Sequence, residues 1–190
     1  FLGGAGSVTG SKFLLTIDDF SLLIDCGLFQ GLKELRLRNW DELPIDSTSI
    51  DSVVLTHAHI DHSGYLPLFF KNGYGGEVHC TEPTKDLVEI LLTDSAKLQE
   101  EEAEFANKKG YSKHSPAKPL YTVRDAEAIF PAIKTHAFHQ SFRVNSNVEV
   151  KFFHAGHILG AASVEVKVYT SQGVKTMVFS GDLGPFHNPL

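Results

Sequence analysis

Hydrophobic and polar positions first form strand-like runs from Lys12 to Ile17 and from Ser21 to Asp25, with Asp18-Asp19 between them. That pattern predicts a β-hairpin. Phe1 to Ser11 reads as a strand remnant entering a glycine-rich loop, and Cys26 to Gly31 leaves the hairpin as another loop. Residues 32–40 carry charges at helical spacing but no start signal. Ile50 to Thr56 (IDSVVLT) is a β-branched run that suits a buried strand. Tyr65 to Asn72 predicts a short helix stopped by Gly73, Gly75 and Gly76, and Glu77 to Cys80 predicts a strand. Pro83 sits where a helix start tolerates proline, and helix-favouring residues follow to Lys109, where Gly110 ends them. Residues 111–121, with Pro116 and Pro119, read as a loop. Thr122-Val-Arg-Asp125 fits a capping box opening a helix to about residue 130. Asn147 to Phe153, Ala162 to Tyr169 and Val174 to Ser180 then read as strands, with Ser171-Gln-Gly173 as a turn.

This order predicts an α/β fold in one domain spanning residues 1–190, a length that suits one ordinary domain. The polar stretch 99–119 is the only candidate linker, and its helix-favouring half reads instead as an exposed excursion. Hydrophobic residues make up 42% and charged residues 21%, the balance of a globular protein. No apolar run approaches the roughly 18 residues of a membrane span, so no membrane partner is expected. The net charge of −6 rules out an overall basic surface for nucleic acid, though not a local groove or the charge of bound metals. Two cysteines, Cys26 and Cys80, are too few for a disulfide scaffold and suggest reduced, buried thiols in a cytoplasmic chain. No signal peptide is visible, and because Phe1 is not an initiator Met a short leader or first strand is expected before it.

The ten histidines change the picture, because five of them lie in the segments 57–62 and 154–157. Thr56-His57-Ala58-His59-Ile60-Asp61-His62-Ser63-Gly64 puts four strong metal ligands within six residues, at the end of a strand. His57 and His59 can meet one metal, and Asp61 and His62 a second. Imidazole with carboxylate suits zinc, with manganese and iron as competitors. One loop cannot complete such a site. His157, among the glycines of AGHILG, and Asp182, in SGDLG, offer further ligands, and Asp182 could bridge two metals. His154 has a weaker claim and is expected behind the ligands or in the core. Asp25 reads either as a turn former or as a carboxylate fixing a metal-bound histidine.

The remaining residues invite plainer readings. His79 suits a core or edge strand, and His114, His136 and His139 suit solvated positions. His187 reads as a loop residue that could touch substrate. Glu100-Glu101-Glu102 reads as a solvated helix face, and Lys108, Lys109, Lys113 and Lys118 as ordinary surface.

HxHxDH at 57–62, a glycine-flanked His157 and then Asp182 together resemble the motif series of the metallo-β-lactamase superfamily. GGAGSVTGS at 3–11, IDCGLFQG at 24–31, AGHILGA at 155–161 and SGDLG at 180–184 resemble its β-CASP branch of RNA-processing nucleases. The resemblance covers nearly the whole chain. It implies the N-terminal part of an αββα sandwich, with the β-CASP cap and the closing segment absent from 1–190. It also implies two zinc ions, with manganese or iron possible: His57, His59 and His157 on the first, Asp61 and His62 on the second, Asp182 bridging, and Asp25 orienting a ligand. Asp61 and Asp182 would be the catalytic carboxylates. The implied reaction is attack of a metal-activated water on an RNA phosphodiester, and the implied full-length protein self-associates or forms a homodimer. A small-molecule thioesterase or lactonase with the same metals, and an inactive fragment, remain alternative readings.

Overall fold

The computed structural model describes residues 1–112 and 115–185. Expectations for Lys113, His114 and His187 lie outside the described residues. The predicted hairpin forms from β1 (Phe13–Ile17) and β2 (Phe20–Ile24), paired antiparallel from Phe13↔Ile24 to Ile17↔Phe20. β2 then pairs in parallel with β3 (Ser52–Val54), β3 with β4 (Glu77–Thr81) and β4 with β5 (Ile133–His136). These five strands lie in sequence order in one sheet, and β6 (Ser141–Arg143), β7 (Val148–His154), β8 (Ala162–Thr170) and β9 (Gly173–Phe179) form a second, antiparallel sheet.

Side chains alternate between strand faces, and here that alternation divides the core in two. Leu23, Val53, Val78 and Cys80 face the helices, where Val88, Leu92, Ala96, Tyr121 and Ile129 cover them. Leu22, Ile24 and Val54 face the other way and pack on Val148, Val150, Phe152, Val164, Val166 and Val168 of the second sheet. The helices are α1 (Lys33–Leu37), α2 (Ile60–Ser63), α3 (Leu66–Lys71), α4 (Glu82–Lys109) and α5 (Val123–Glu127). Among the described residues no helix contributes to the core between the sheets, so the layers read helix, sheet, sheet. The outer face of the second sheet instead carries charge, including Lys167 paired with Glu165 at 3.3 Å.

Local signals fix the helix ends. Gly110 ends α4 in the left-handed conformation. The capping box at α5 is present: Thr122 Oγ1 accepts from Asp125 N–H at 3.2 Å, and Asp125 Oδ2 accepts from Thr122 N–H at 2.9 Å. α5 stops at Glu127, and a 3-10 turn at Phe130–Ala132 replaces the expected last turn. β5 and β6 were not anticipated.

Several side chains depart from expectation. Lys12 is fully buried. Its ammonium donates to the Gly27 carbonyl and lies 4.9 Å from the Phe29 ring and 4.7 Å from the Tyr65 ring. His136 is not simply solvated: it bonds His79 across 3.0 Å and stacks on Phe142 at 3.5 Å. His154 is neither core nor behind the site, because at the end of β7 it turns outward and stacks on Phe138 at 3.6 Å. Cys26 and Cys80 are buried thiols, as expected.

Phe152 is fully buried between the sheets. Truncating it leaves a cavity bounded by two sheets that cannot easily collapse together. Phe152→Ala should cost about 3–5 kcal/mol, read as a lower urea midpoint with an unchanged slope.

Candidate metal centre

Four strand ends meet along one edge of the sandwich. Asp25 follows β2, Thr56 and His57 follow β3, His157 lies between β7 and β8, and Asp182 follows β9. Parallel neighbours present their C-terminal ends on the same side, which brings Asp25 beside Thr56. The Ala162 N–H to Thr56 carbonyl bond, 2.8 Å, ties the second sheet to that edge. Gly27 lies against the Asp61–His62 peptide so closely that an added Cβ would fall 1.6 Å from the Asp61 carbonyl oxygen.

Donor atoms of His57, His59, His157 and Asp182 all lie within 4.8 Å of one another. His59 Nδ1 is 3.1 Å from both His57 Nε2 and His157 Nε2. Asp182 Oδ2 is 3.5 Å from His157 Nε2 and 3.9 Å from His57 Nε2. Its other oxygen, Oδ1, is 3.3 Å from His62 Nε2, which lies 3.8 Å from Asp61 Oδ2. Ligands about 2.0–2.1 Å from one tetrahedral zinc sit roughly 3.3 Å apart. The donors of the first group bracket that spacing, so they fit a metal ion. Of the candidate ligands named from the sequence, His57, His59, Asp61, His62, His157 and Asp182 are brought together with Asp25 behind them, and His154 is not.

Behind the donors lies a hydrogen-bond network centred on Asp25, which is buried and has φ +59. Asp25 Oδ1 accepts from Thr56 N–H at 2.8 Å, and Oδ2 accepts from His62 Nδ1 at 2.7 Å and from the Ser11 hydroxyl at 3.2 Å. The Thr56 hydroxyl donates its single proton to Asp25 at 3.0 Å. It can then only accept from His57 Nδ1, also at 3.0 Å. Both histidines thus carry their proton on Nδ1, leaving the Nε2 lone pairs of His57 and His62 aimed at the centre. Thr56 and Ser11 escaped the sequence reading. The only available signal was a hydroxyl directly before the HxHxDH string.

Electrostatics agree with this arrangement. Burial, reinforced by His62, His59 and His157, holds His57 down to about 2. Burial and then His157 lower His59, against the pull of Asp61 and Asp182. Burial also acts to lower His62, but its bond to Asp25 and the nearby carboxylates outweigh that and raise it. His57 and His59 are thus held in the neutral form that a metal needs.

A family model described as Metallo-beta-lactamase superfamily domain matches residues 14–179. The chain belongs to the metallo-β-lactamase superfamily. Ribonuclease TTHA0252 of Thermus thermophilus is 36% identical over 182 residues, covering 96% of this chain and 37% of that protein. Transcription termination factor FttA of Methanocaldococcus jannaschii is 30% identical over 96% of this chain and 26% of its own length. Integrator complex subunit 11 of Danio rerio is 31% identical over 95% and 28%. The chain thus spans between 26% and 37% of the length of these relatives. Among solved structures, a metallo-β-lactamase from Cronobacter sakazakii superposes with TM-score 0.54 at 22% identity, covering 97% of this chain and 62% of that one. At that identity the likeness shows the superfamily's fold. No described helix is long and apolar enough to cross a membrane.

A histidine whose folded pKa lies below its unfolded value binds fewer protons when folded, so its burial costs stability as pH falls. His57, at about 2, and His79, taken from 6.5 to about 4 by burial and then by His136 and Lys134, both act this way. His62 opposes them, its contribution being full below pH 6.5 and lost as pH rises through its raised value. The metal-free protein should therefore melt at progressively lower temperature from about pH 6.5 to 4, and His79→Gln should shallow the slope. A flat melting profile would contradict it.

Proposed function

We propose that this chain is the metal-binding N-terminal segment of a β-CASP-type ribonuclease acting in the cytoplasm. The observation that carries the reading is Asp182, whose two oxygens face separate donor groups: Oδ2 the His57–His157 side, Oδ1 His62. A carboxylate so placed suits a bridge between two cations. His57, His59 and His157 would hold the first cation, Asp61 and His62 the second, with Asp182 shared. Zinc suits the donors best, and manganese or iron are the alternatives. Two such ions, when bound, would supply a water that loses its proton near neutral pH and positive charge for phosphoryl oxygens.

The chain's own groups do the rest. Thr56 and Asp25 hold protons on His57 Nδ1 and His62 Nδ1, so each ring in its neutral form presents an Nε2 lone pair to the centre. Asp61 and Asp182 supply the carboxylate oxygens that can hold a hydrogen of the attacking water. Neither thiol suits a nucleophile: burial pushes both Cys26 and Cys80 up to about 12. RNA is favoured over a small ester because the sequence relatives include a ribonuclease at 36% identity. Self-association or homodimerisation of the full-length protein belongs to the same proposal, and light scattering tests it.

Elemental analysis beside cleavage of labelled single-stranded RNA tests the reading. About two zinc per chain are expected, and His59→Ala should lose about one of them together with cleavage. Full metal in that variant would sink the ligand assignment. Metal-dependent hydrolysis of a thioester or lactone, with RNA left intact, would favour the small-molecule reading.

A further inference from the structure

His157 stands in a segment that should be loose. Residues 155–161 carry Gly156 and Gly160, both at positive φ, and glycine gives up more backbone freedom on ordering than any other residue. The His157 ring itself is only part-buried, and its polar contacts are to His59 Nδ1 at 3.1 Å and Asp182 Oδ2 at 3.5 Å. Both of those are candidate ligands, so a metal would displace these contacts rather than keep them. Ile158 of the segment packs on the helix-side core, and a further hold fixes its backbone.

That hold comes from the junction of β4 and α4. The Thr81 hydroxyl reaches the Gly160 carbonyl oxygen at 2.7 Å and the Thr84 hydroxyl reaches the same oxygen at 2.9 Å. The two hydroxyl oxygens also lie 2.9 Å apart, and each carries one proton, so the pair binds the carbonyl as a unit, by direct donation from each or by relay of one through the other. Both threonines are buried, so water does not compete for them. The approach is as close as backbone allows: a Cβ on Gly160 would lie 2.5 Å from Thr84 N and 2.7 Å from its Oγ1. From Gly160 the hold passes along the segment through Ala161 N–H to the Ile158 carbonyl and Ala155 N–H to the Ala161 carbonyl, each 3.0 Å. Gly184 N–H then bonds the Ala155 carbonyl at 2.9 Å, so the segment is seated between α4 and the loop of Asp182.

We infer that Thr81 and Thr84 are positioning residues for His157, holding its segment in ligand geometry through the Gly160 carbonyl. The inference rests on the metal-centre reading above. A purely local role would be capping of α4, in which Thr81 accepts from Thr84 N–H at 3.4 Å. Capping alone needs no hydroxyl on Thr84. The hydroxyl's reach to a carbonyl 76 residues away separates the two roles.

The test uses the whole chain with Thr84→Val and Thr84→Ser. Thr84→Val keeps shape and leaves the Thr81 hydroxyl on the carbonyl, so the fold should survive. Three quantities are read: zinc affinity by competition with a chromophoric chelator, the visible spectrum of the cobalt(II)-loaded protein, and the melting temperature without metal. Thr84→Val should weaken zinc roughly 10- to 100-fold and shift the cobalt bands, and Thr84→Ser should restore both. Should Thr84→Val fail to fold, Thr84→Ala gives the same comparison with the Thr81 cap retained. Unchanged zinc affinity and cobalt spectrum, with only a lower melting temperature, would leave capping as the sole role and overturn the inference. A wild-type chain that takes no zinc would overturn the metal reading and this inference together, and it would show before any variant is made.

Discussion

The carboxylate of Asp25 is the interaction on which the rest of the site depends. A buried charge without partners would cost several kcal/mol. Here its oxygens collect a backbone N–H, two hydroxyls and an imidazole N–H, drawn from Thr56, Ser11 and His62. Those partners come from the glycine-rich loop, the end of β3 and the histidine loop. The need to satisfy one anion therefore draws three chain segments together, alongside main-chain bonds between them. It also sets protons: His62 receives its tautomer directly from Asp25, and His57 receives its own through the Thr56 hydroxyl.

Backbone proximity does what side chains cannot. Ser11 N–H bonds the Asp61 carbonyl at 2.8 Å and Cys26 N–H bonds the His62 carbonyl at 2.7 Å, so the loop bearing Asp61 and His62 is held by main chain on two sides. Gly27 permits that approach, and the buried ammonium of Lys12 fixes the Gly27 carbonyl beneath it. Burial lowers the Lys12 pKa to about 8, the mark of a cation kept out of water with few partners. A charge in such a place is tolerated because a carbonyl and two ring faces replace part of its hydration.

Much of this was legible in the sequence where chemistry concentrates. HxHxDH, the glycine-flanked His157 and SGDLG mark the centre because metal ligands fall there in a density that solvated loops do not show. The hairpin, α4 and the capping box of α5 were legible because their signals are local. β5 and β6 were not: IKTH and SFR are short and half polar, and they become strands only by pairing with β4 and β7. His154 was misjudged because a strand end turns alternate side chains opposite ways, and only the register shows which way one faces. Asp25 was ambiguous because a turn-forming aspartate and a buried anchor look alike until their partners are known. Lys12 and the Thr81–Thr84 pair were silent, since nothing local announces a residue whose bond lies at a remote loop.

The division between donors and supports explains how such a centre keeps its shape before a metal arrives. Neutral imidazoles whose lone pairs converge gain little from one another, and like-charge repulsion sets in once two of them are protonated. The shape must therefore be held from behind, by bonds that remain when the centre is empty: Asp25 and Thr56 for His62 and His57, main chain for Asp61, and the α4 junction for the segment of His157. Each support uses atoms that a metal would not claim. A metal ion would then need little rearrangement of the chain, and the affinity of such a centre would depend on residues that never touch the ion as well as on those that do.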